Sequence, residues 1–407
     1  MAQRTTFPES LSQVPKTLDP DRALDDASAH MPRSAPKAVA LLVLAAVLIC
    51  SAAAAAGAWR LHHKDPAAVA LSLGDYVSMG WVAWDSGWYK LIAEQGYTYT
   101  PGQQSPVAFF PLYPLAIRAA LALGVPIYPA GILITLLCGP LAVVLFTAWA
   151  RTRVDERTAL QAGMLLALYP FTFYLYGVMY SDALFVLLVV SAFLLLEKGH
   201  LVPAVLLGAI ATAARPVAPA VVLGLLVRRL EWKRQRGERW NVWDFLPALS
   251  GLGFGLYLLY LQQKFGAPFA FVETQGSPGW EQAPGWRTWL KLYWFEVVFF
   301  SDHSAEVILR YLVQAGLTLL ALGMVIPTVR LLGWGYAVFV LAIIGLPALG
   351  TKDFMGMGRY LISAFPLFLT LALLLRERPR LRQGLLATSA LGLVILSAAF
   401  GLERYIS

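Results

Sequence analysis

Residues 38–58 read AVALLVLAAVLICSAAAAAGA, an uncharged apolar run. At 1.5 Å per residue, such a helix matches the roughly 30 Å hydrocarbon core of a bilayer. Further apolar runs lie near 129–149, 158–176, 183–197, 201–214, 217–230, 243–262, 305–327, 332–350, 360–375 and 384–401. The 407 residues are 58% hydrophobic and 14% charged, with mean hydropathy +0.63. Globular chains carry about 25% charged residues, so the charge here is too sparse to wet a globule of this size. These features predict an all-α polytopic membrane protein with about eleven transmembrane helices.

The net charge of +8 does not point to nucleic acid, because the basic residues sit in short segments between apolar runs, as loop orientation requires. Cys50 and Cys138 both fall inside apolar runs, so neither a disulfide nor a metal framework is expected. Residues 1–37, rich in Pro, Ser, Asp and Arg, read as a disordered cytoplasmic tail. That tail is too long for a secretory leader, and no cleavable signal peptide is expected. The remainder, 38–407, reads as a single transmembrane domain.

Charge sets the expected topology. Arg228–Arg239 (RRLEWKRQRGER), Arg376–Arg382 (RERPRLR) and Arg151–Arg157 (RTRVDER) are the strongest basic loops and belong in the cytoplasm. All three reach that side only if segment 107–124 does not cross. Pro106, Pro111, Pro114 and Arg118 make it a poor span. It is expected as an amphipathic or re-entrant helix within a long first external loop, 59–127, with a second large external loop at 263–304. Turns at 177–182, 215–216 and 351–359 then fall on the external face. This places Asp85, Asp182, Arg215, Lys352, Asp353 and Arg359 together.

The segment Trp84–Tyr97 reads WDSGWYKLIAEQGY. As a helix it aligns Trp84, Trp88, Leu91 and Ile92 on one face, with Asp85 and Tyr89 beside it. A carboxylate held at such an interface can take the proton of an attacking hydroxyl. An Asp opening a helix can equally be its N-cap, and the local sequence leaves both readings open.

Other motifs join it in chain order. WDSGWYKLIAEQGY is followed by FFPLYP (Phe109–Pro114), YPFTFYLYGVMYSD (Tyr169–Asp182), AARP (Ala213–Pro216) and GMGRYLISAFP (Gly356–Pro366). Together they resemble the PIG-V-type mannosyltransferases, with Asp182 standing where that family usually has Glu. The resemblance runs from about residue 80 to 370 and implies the GT-C fold, a multispan helical bundle. It implies a glycosyltransferase that takes its sugar, usually mannose, from a polyprenyl phosphate. It also implies Asp85 as the base.

The residue types suit that chemistry. Transfer from a lipid phosphate needs a cation to hold the phosphate and a base to activate the acceptor alcohol; a single inverting displacement needs no covalent enzyme intermediate. Arg359 and Arg215 are candidates for the phosphate, since a guanidinium meets its oxygens in fork geometry. Each can instead be an arginine snorkelling to the headgroups. The glycines of Gly356–Arg359 would let the backbone approach a ligand. Lys90 is a further phosphate candidate, or faces lipid headgroups. Asp182, Tyr89 and Tyr180 are candidates for the acceptor, Asp182 being alternatively a helix cap. Trp280, in the aromatic second loop, either stacks on a sugar or anchors the loop at the interface.

No His or Cys spacing resembles a metal site, and no Walker-type loop points to a nucleotide sugar. The expectation is an enzyme without a cofactor, working on a polyprenyl-phosphate-linked mannose and a glycolipid or glycan acceptor, among membrane lipids and without an obligate protein partner. The alternative is a transporter or flippase of lipid-linked sugars, which should carry ionisable residues along a path through mid-span. Here they collect at one face. The Ala-, Arg- and Leu-rich composition suggests a GC-rich bacterial genome. The plasma membrane with an external active site is therefore expected, or the endoplasmic reticulum with a lumenal one in a eukaryote.

Overall fold

The computed structural model describes residues 35–63 and 71–406. The expected tail lies outside them, except for Ala35–Lys37, which already belong to the first helix. Among the described residues all regular structure is helical. Helix α1 (Ala35–His62) is followed by three short helices, α2 (Leu73–Met79), α3 (Ser86–Gln95) and α4 (Leu112–Ala122). Next come α5 (Ile127–Arg151), α6 (Glu156–Ala167), a 3₁₀ turn at Pro170–Leu175, α7 (Asp182–Glu197), α8 (Leu201–Thr212) and α9 (Ala218–Gln235). A 3₁₀ segment, Val242–Gly251, runs into α10 (Leu252–Phe265). The second large loop holds α11 (Ala270–Glu273), α12 (Trp286–Trp289) and α13 (Leu292–Phe300). The chain closes with α14 (Ala305–Gly323), α15 (Val325–Leu332), α16 (Trp334–Gly350), α17 (Met357–Ser363), α18 (Pro366–Leu374) and α19 (Pro379–Gly401).

Every expected apolar run is helical over most of its length, but the runs are not equally long. Among the described residues, five helical stretches, 37–62, 127–151, 242–265, 305–332 and 379–401, are long and apolar enough to cross a membrane. The pair α17 and α18, bent by 88°, makes a sixth if taken as one broken span. Prolines explain much of the shortening. The run 158–176 breaks before Pro170, which has no N–H to continue the ladder. Segment 107–124 yields only the 11 residues of α4, about 16 Å of helix and too short to span.

Helix α5 packs on α7, α9 on α16, and α1 on α19. In lipid, such association relies on close packing rather than on expelling water. At the α1–α19 crossing, a Cβ added at Gly57 or Gly401 would collide with the opposing backbone at Ala398 or Ala54. Only the absence of side chains lets these helices touch. A buried aromatic cluster of Phe146, Trp149, Phe193, Tyr336 and Phe365 fills the centre, and the Trp149 indole donates to the Tyr336 hydroxyl at 2.8 Å.

Helix α7, 16 residues or about 24 Å long, separates two charged regions. At its C-terminal end, Glu197 accepts from Arg228 at 2.5 Å and 3.0 Å and from Arg153 at 3.3 Å. There Arg376 also meets Asp155 at 3.5 Å. The three basic loops thus share one end of the bundle. At the other end, Asp182 opens α7 and the two large loops dock together: Tyr99 donates to Glu273 at 2.6 Å, Lys264 to the Tyr97 carbonyl at 3.0 Å, and the Ser105 N–H to Thr274 at 3.0 Å. The grouping expected from charge alone therefore holds in the fold.

Candidate active site

Asp85 occupies the N-cap position of α3, yet its side chain makes no capping hydrogen bond. Instead its Oδ2 accepts from Arg359 Nη1 at 3.1 Å. The turn before it is constrained. Trp84 has φ +53°, a region costly for a bulky residue. It is held by Tyr180, whose hydroxyl accepts from the Asp85 N–H at 3.1 Å and donates to the Ala83 carbonyl at 3.3 Å. The expected helical face is corrected accordingly: Trp84 lies outside the helix and sets its ring edge against Tyr405, 5.1 Å away. Trp88 packs with Phe109 and Trp280. Gly96, at φ +82°, ends α3, and Arg118 donates to the carbonyls of Ile92 and Ala93 at 3.0 and 2.9 Å, tying α4 to α3.

Asp182 likewise forgoes capping and accepts a hydrogen bond from Arg215. Both side chains are buried, and the Arg215 guanidinium lies over the Tyr360 ring at 4.9 Å. Arg359 lies between the two carboxylates: its Nη1 holds Asp85, its Nε is 4.0 Å from Asp182, and its guanidinium faces the Tyr180 ring at 5.2 Å. That Nε is buried and makes no hydrogen bond. Neither arginine reaches outward as a snorkelling side chain would. Both turn inward, into a low-dielectric setting that strengthens their attraction for anions.

These groups line one cavity of ≈ 420 Å³. Asp85, Tyr89, Tyr180, Asp182, Arg215, Trp280 and Arg359 all border it, so the fold unites residues from widely separated segments. The Tyr89 hydroxyl hydrogen-bonds Ser181 Oγ at 2.9 Å, and burial pushes its phenol above the usual tyrosine range. Asp353 borders the cavity too. Burial raises its carboxyl above the ordinary aspartate value, while the Met355 N–H donates to it at 3.1 Å. Lys352 turns aside to Glu281, 2.6 Å away. Among the described residues no group of three His, Cys, Asp or Glu side chains is placed to hold a metal ion.

One candidate stands apart from the others. Lys90 does not border the cavity; its Nζ donates to the exposed Tyr128 hydroxyl at 3.3 Å. It sits a quarter-turn of helix from Tyr89, and one residue's rotation suffices to turn it away. Of the glycines before Arg359, Gly356 takes φ +82° ahead of α17 and borders the cavity, whereas Gly358 lies flush on the Phe171 ring, where a Cβ would collide. Sequence reasoning also passed over Arg310 and Tyr405, which border the cavity. Arg310 had a signal, being a lone cation within the apolar run of α14. Tyr405 had none.

The model of the family described as mannosyltransferase (PIG-V) matches residues 38–229, a range holding Asp85, Asp182 and Arg215 but not Arg359. No curated protein matches the chain. The crystal structure of the Archaeoglobus fulgidus oligosaccharyltransferase in its apo form is similar over 89% of this chain and 55% of its own, at 13% identity and a TM-score of 0.44. This chain therefore spans about half the length of that protein. The motifs from Trp84 to Pro216 fall within the family match, and over residues 38–229 the chain is similar to the PIG-V mannosyltransferases.

Proposed function

We propose that this protein moves a mannosyl residue from a polyprenyl-phosphate donor to a hydroxyl of an extracytoplasmic glycolipid or glycan, on a GT-C-type bundle of about eleven spans. Asp85 takes the proton of the acceptor hydroxyl, whose oxygen forms the new bond to the sugar's anomeric carbon. The bond from that carbon to the phosphate oxygen breaks, and the lipid phosphate leaves with the electron pair. Attack from the opposite face inverts the anomeric centre. Arg359 and Arg215 hold the phosphate before and after departure. The observation that carries this reading is the Asp85–Arg359 pair at 3.1 Å within the polar cavity. It sets a base candidate beside a phosphate-binding candidate that has an unused Nε–H.

The cavity lies at the end of α7 opposite the three basic loops. By the positive-inside rule that end is extracytoplasmic, on the outer face of a bacterial plasma membrane. Purified protein in nanodiscs, given polyprenyl-phosphate-mannose and a lipid extract, should yield a mannosylated product without any gradient. Movement of the lipid-linked sugar between leaflets, with no new glycosidic bond, would establish the flippase reading instead.

A further inference from the structure

The second large loop and the turn at Lys352 frame a further cavity of ≈ 480 Å³, within the size range of small-molecule sites, roughly 300–1,000 Å³. Six side chains carry its chemistry: Glu281, Trp286, Arg287, Tyr293, Glu296 and Lys352. None of them has a part in the transfer described above. Tyr293 and Lys352 border the polar cavity as well. The two spaces meet at these residues, and one ligand can lie across both.

Specific contacts build this cavity. Arg287 donates to Glu296 at 2.8 Å, tying α12 to α13. The Lys352 ammonium donates to Glu281 at 2.6 Å and lies 4.3 Å from the centre of the Tyr293 ring. The Lys352 N–H donates to Gln282 Oε1 at 2.6 Å, which pins the loop to the turn that leads to Arg359. Trp286 is 61% exposed, so its indole is open to a ligand. Two carboxylates and two cations stand together here, and their formal charges cancel, so neither a net anion nor a net cation is called for. A carboxylate only accepts hydrogen bonds, whereas an ammonium or guanidinium only donates them. A hydroxyl does both. A ring that carries many hydroxyls can meet both kinds of group while its C–H face covers an aromatic ring. A sugar has that chemistry.

We propose that this cavity is a saccharide site, which holds the sugar units of the acceptor behind the one whose hydroxyl is attacked beside Asp85. This rests on the function proposed above and adds to it the class of acceptor: a glycan or glycolipid head group of at least two sugars. Trp286 and Tyr293 lie against ring faces, and the two ion pairs offer their remaining lone pairs and N–H groups to hydroxyls. The competing role for Trp286 is an anchor at the membrane interface, and the test separates the two.

Binding of the full chain in detergent to an array of neutral mono- to tetrasaccharides of mannose, glucose and galactose is the first measurement. In at least one series the affinity should rise from mono- to trisaccharide. Trp286→Ala should weaken that binding by about three- to tenfold, as loss of a stacked aromatic contact does, and Trp286→Tyr should recover most of it. Trp289→Ala removes a similarly exposed indole (56%) from the same helix, one that does not border the cavity, and should leave saccharide binding unchanged. Absent or length-independent binding overturns the proposal, and so does unchanged binding by Trp286→Ala. Equal losses in Trp286→Ala and Trp289→Ala make both residues interface anchors and overturn the site as well. Length-dependent binding that requires Trp286, without sugar transfer from polyprenyl-phosphate-mannose, leaves the site standing and removes the transferase reading. Transfer by Trp286→Ala with the acceptor KM of wild type keeps the transferase and removes the site.

Discussion

Asp85 and Arg359, separated by 274 positions in the chain, are joined by a hydrogen bond of 3.1 Å. The pair ties the first large loop to the turn before α17. It also fixes how each residue is tested, since a change in either alters the charge felt by the other.

Asp85→Asn keeps the volume and can still accept from Arg359, but it cannot take a proton. Turnover is expected to fall by about 10²–10⁴-fold with donor affinity and expression preserved. Measured kcat for the purified variant decides the matter; a value near wild type removes Asp85 as the base.

Arg359→Lys should recover only part of the activity lost in Arg359→Ala, because an ammonium keeps the charge without the planar fork that reaches Asp85 and a phosphate together. Donor KM should rise and kcat should fall in both. Kinetics against donor concentration check this, and full activity of the lysine variant overturns a phosphate-clamp role.

Tyr180→Phe removes the hydroxyl that bridges the Asp85 N–H and the Ala83 carbonyl. With Trp84 already at φ +53°, the turn should relax and misplace the carboxylate. We expect kcat to fall by about tenfold or more, with Asp85 intact. A loss confined to acceptor KM would show that the hydroxyl binds substrate instead.

Arg228 is almost fully buried between Glu197 and Glu231. Arg228→Ala leaves Glu197 with Arg153 and the Tyr336 hydroxyl and Glu231 with the N–H groups of Trp334 and Gly335, and a loss of about 3 kcal/mol, the low end for a broken buried pair, is expected. The thermal inactivation temperature of the variant should drop sharply, while the kcat of the surviving folded fraction stays near wild type, because α7 separates this network from the cavity. A stable variant with impaired kcat would contradict that division.

Cysteines introduced at exposed Gln103 and Asp302 should react with an impermeant thiol reagent added outside cells, and one at exposed Gln235 should not. Labelling in the reverse sense would put the cavity on the cytoplasmic side.

Helical membrane architecture was legible because composition and run length are local properties: residues 38–58 need no partner to show that they exclude water. The grouping of Asp85, Asp182, Arg215 and Arg359 at one end was legible too, since loop charge orients every helix between. Which groups touch was not. Asp85 and Asp182 each look like a helix cap in sequence; in the fold Asp85 stands at the N-cap of α3, while Asp182 is the first residue of α7, after its N-cap Ser181. The carboxylates turn to arginines instead, because a guanidinium brought into a low-dielectric cavity outcompetes an exposed backbone N–H. Lys90 stands one residue from Tyr89, yet helical rotation alone sends it away from the cavity. Arg310 and Tyr405 entered the site only through packing of α14 against segment 402–406, a long-range contact that no spacing in the chain encodes. Sequence alone determined the solvent each segment prefers and the end of the bundle it belongs to. The tertiary structure decided which charges neutralise one another, because pairing depends on distances of a few ångströms between residues hundreds of positions apart.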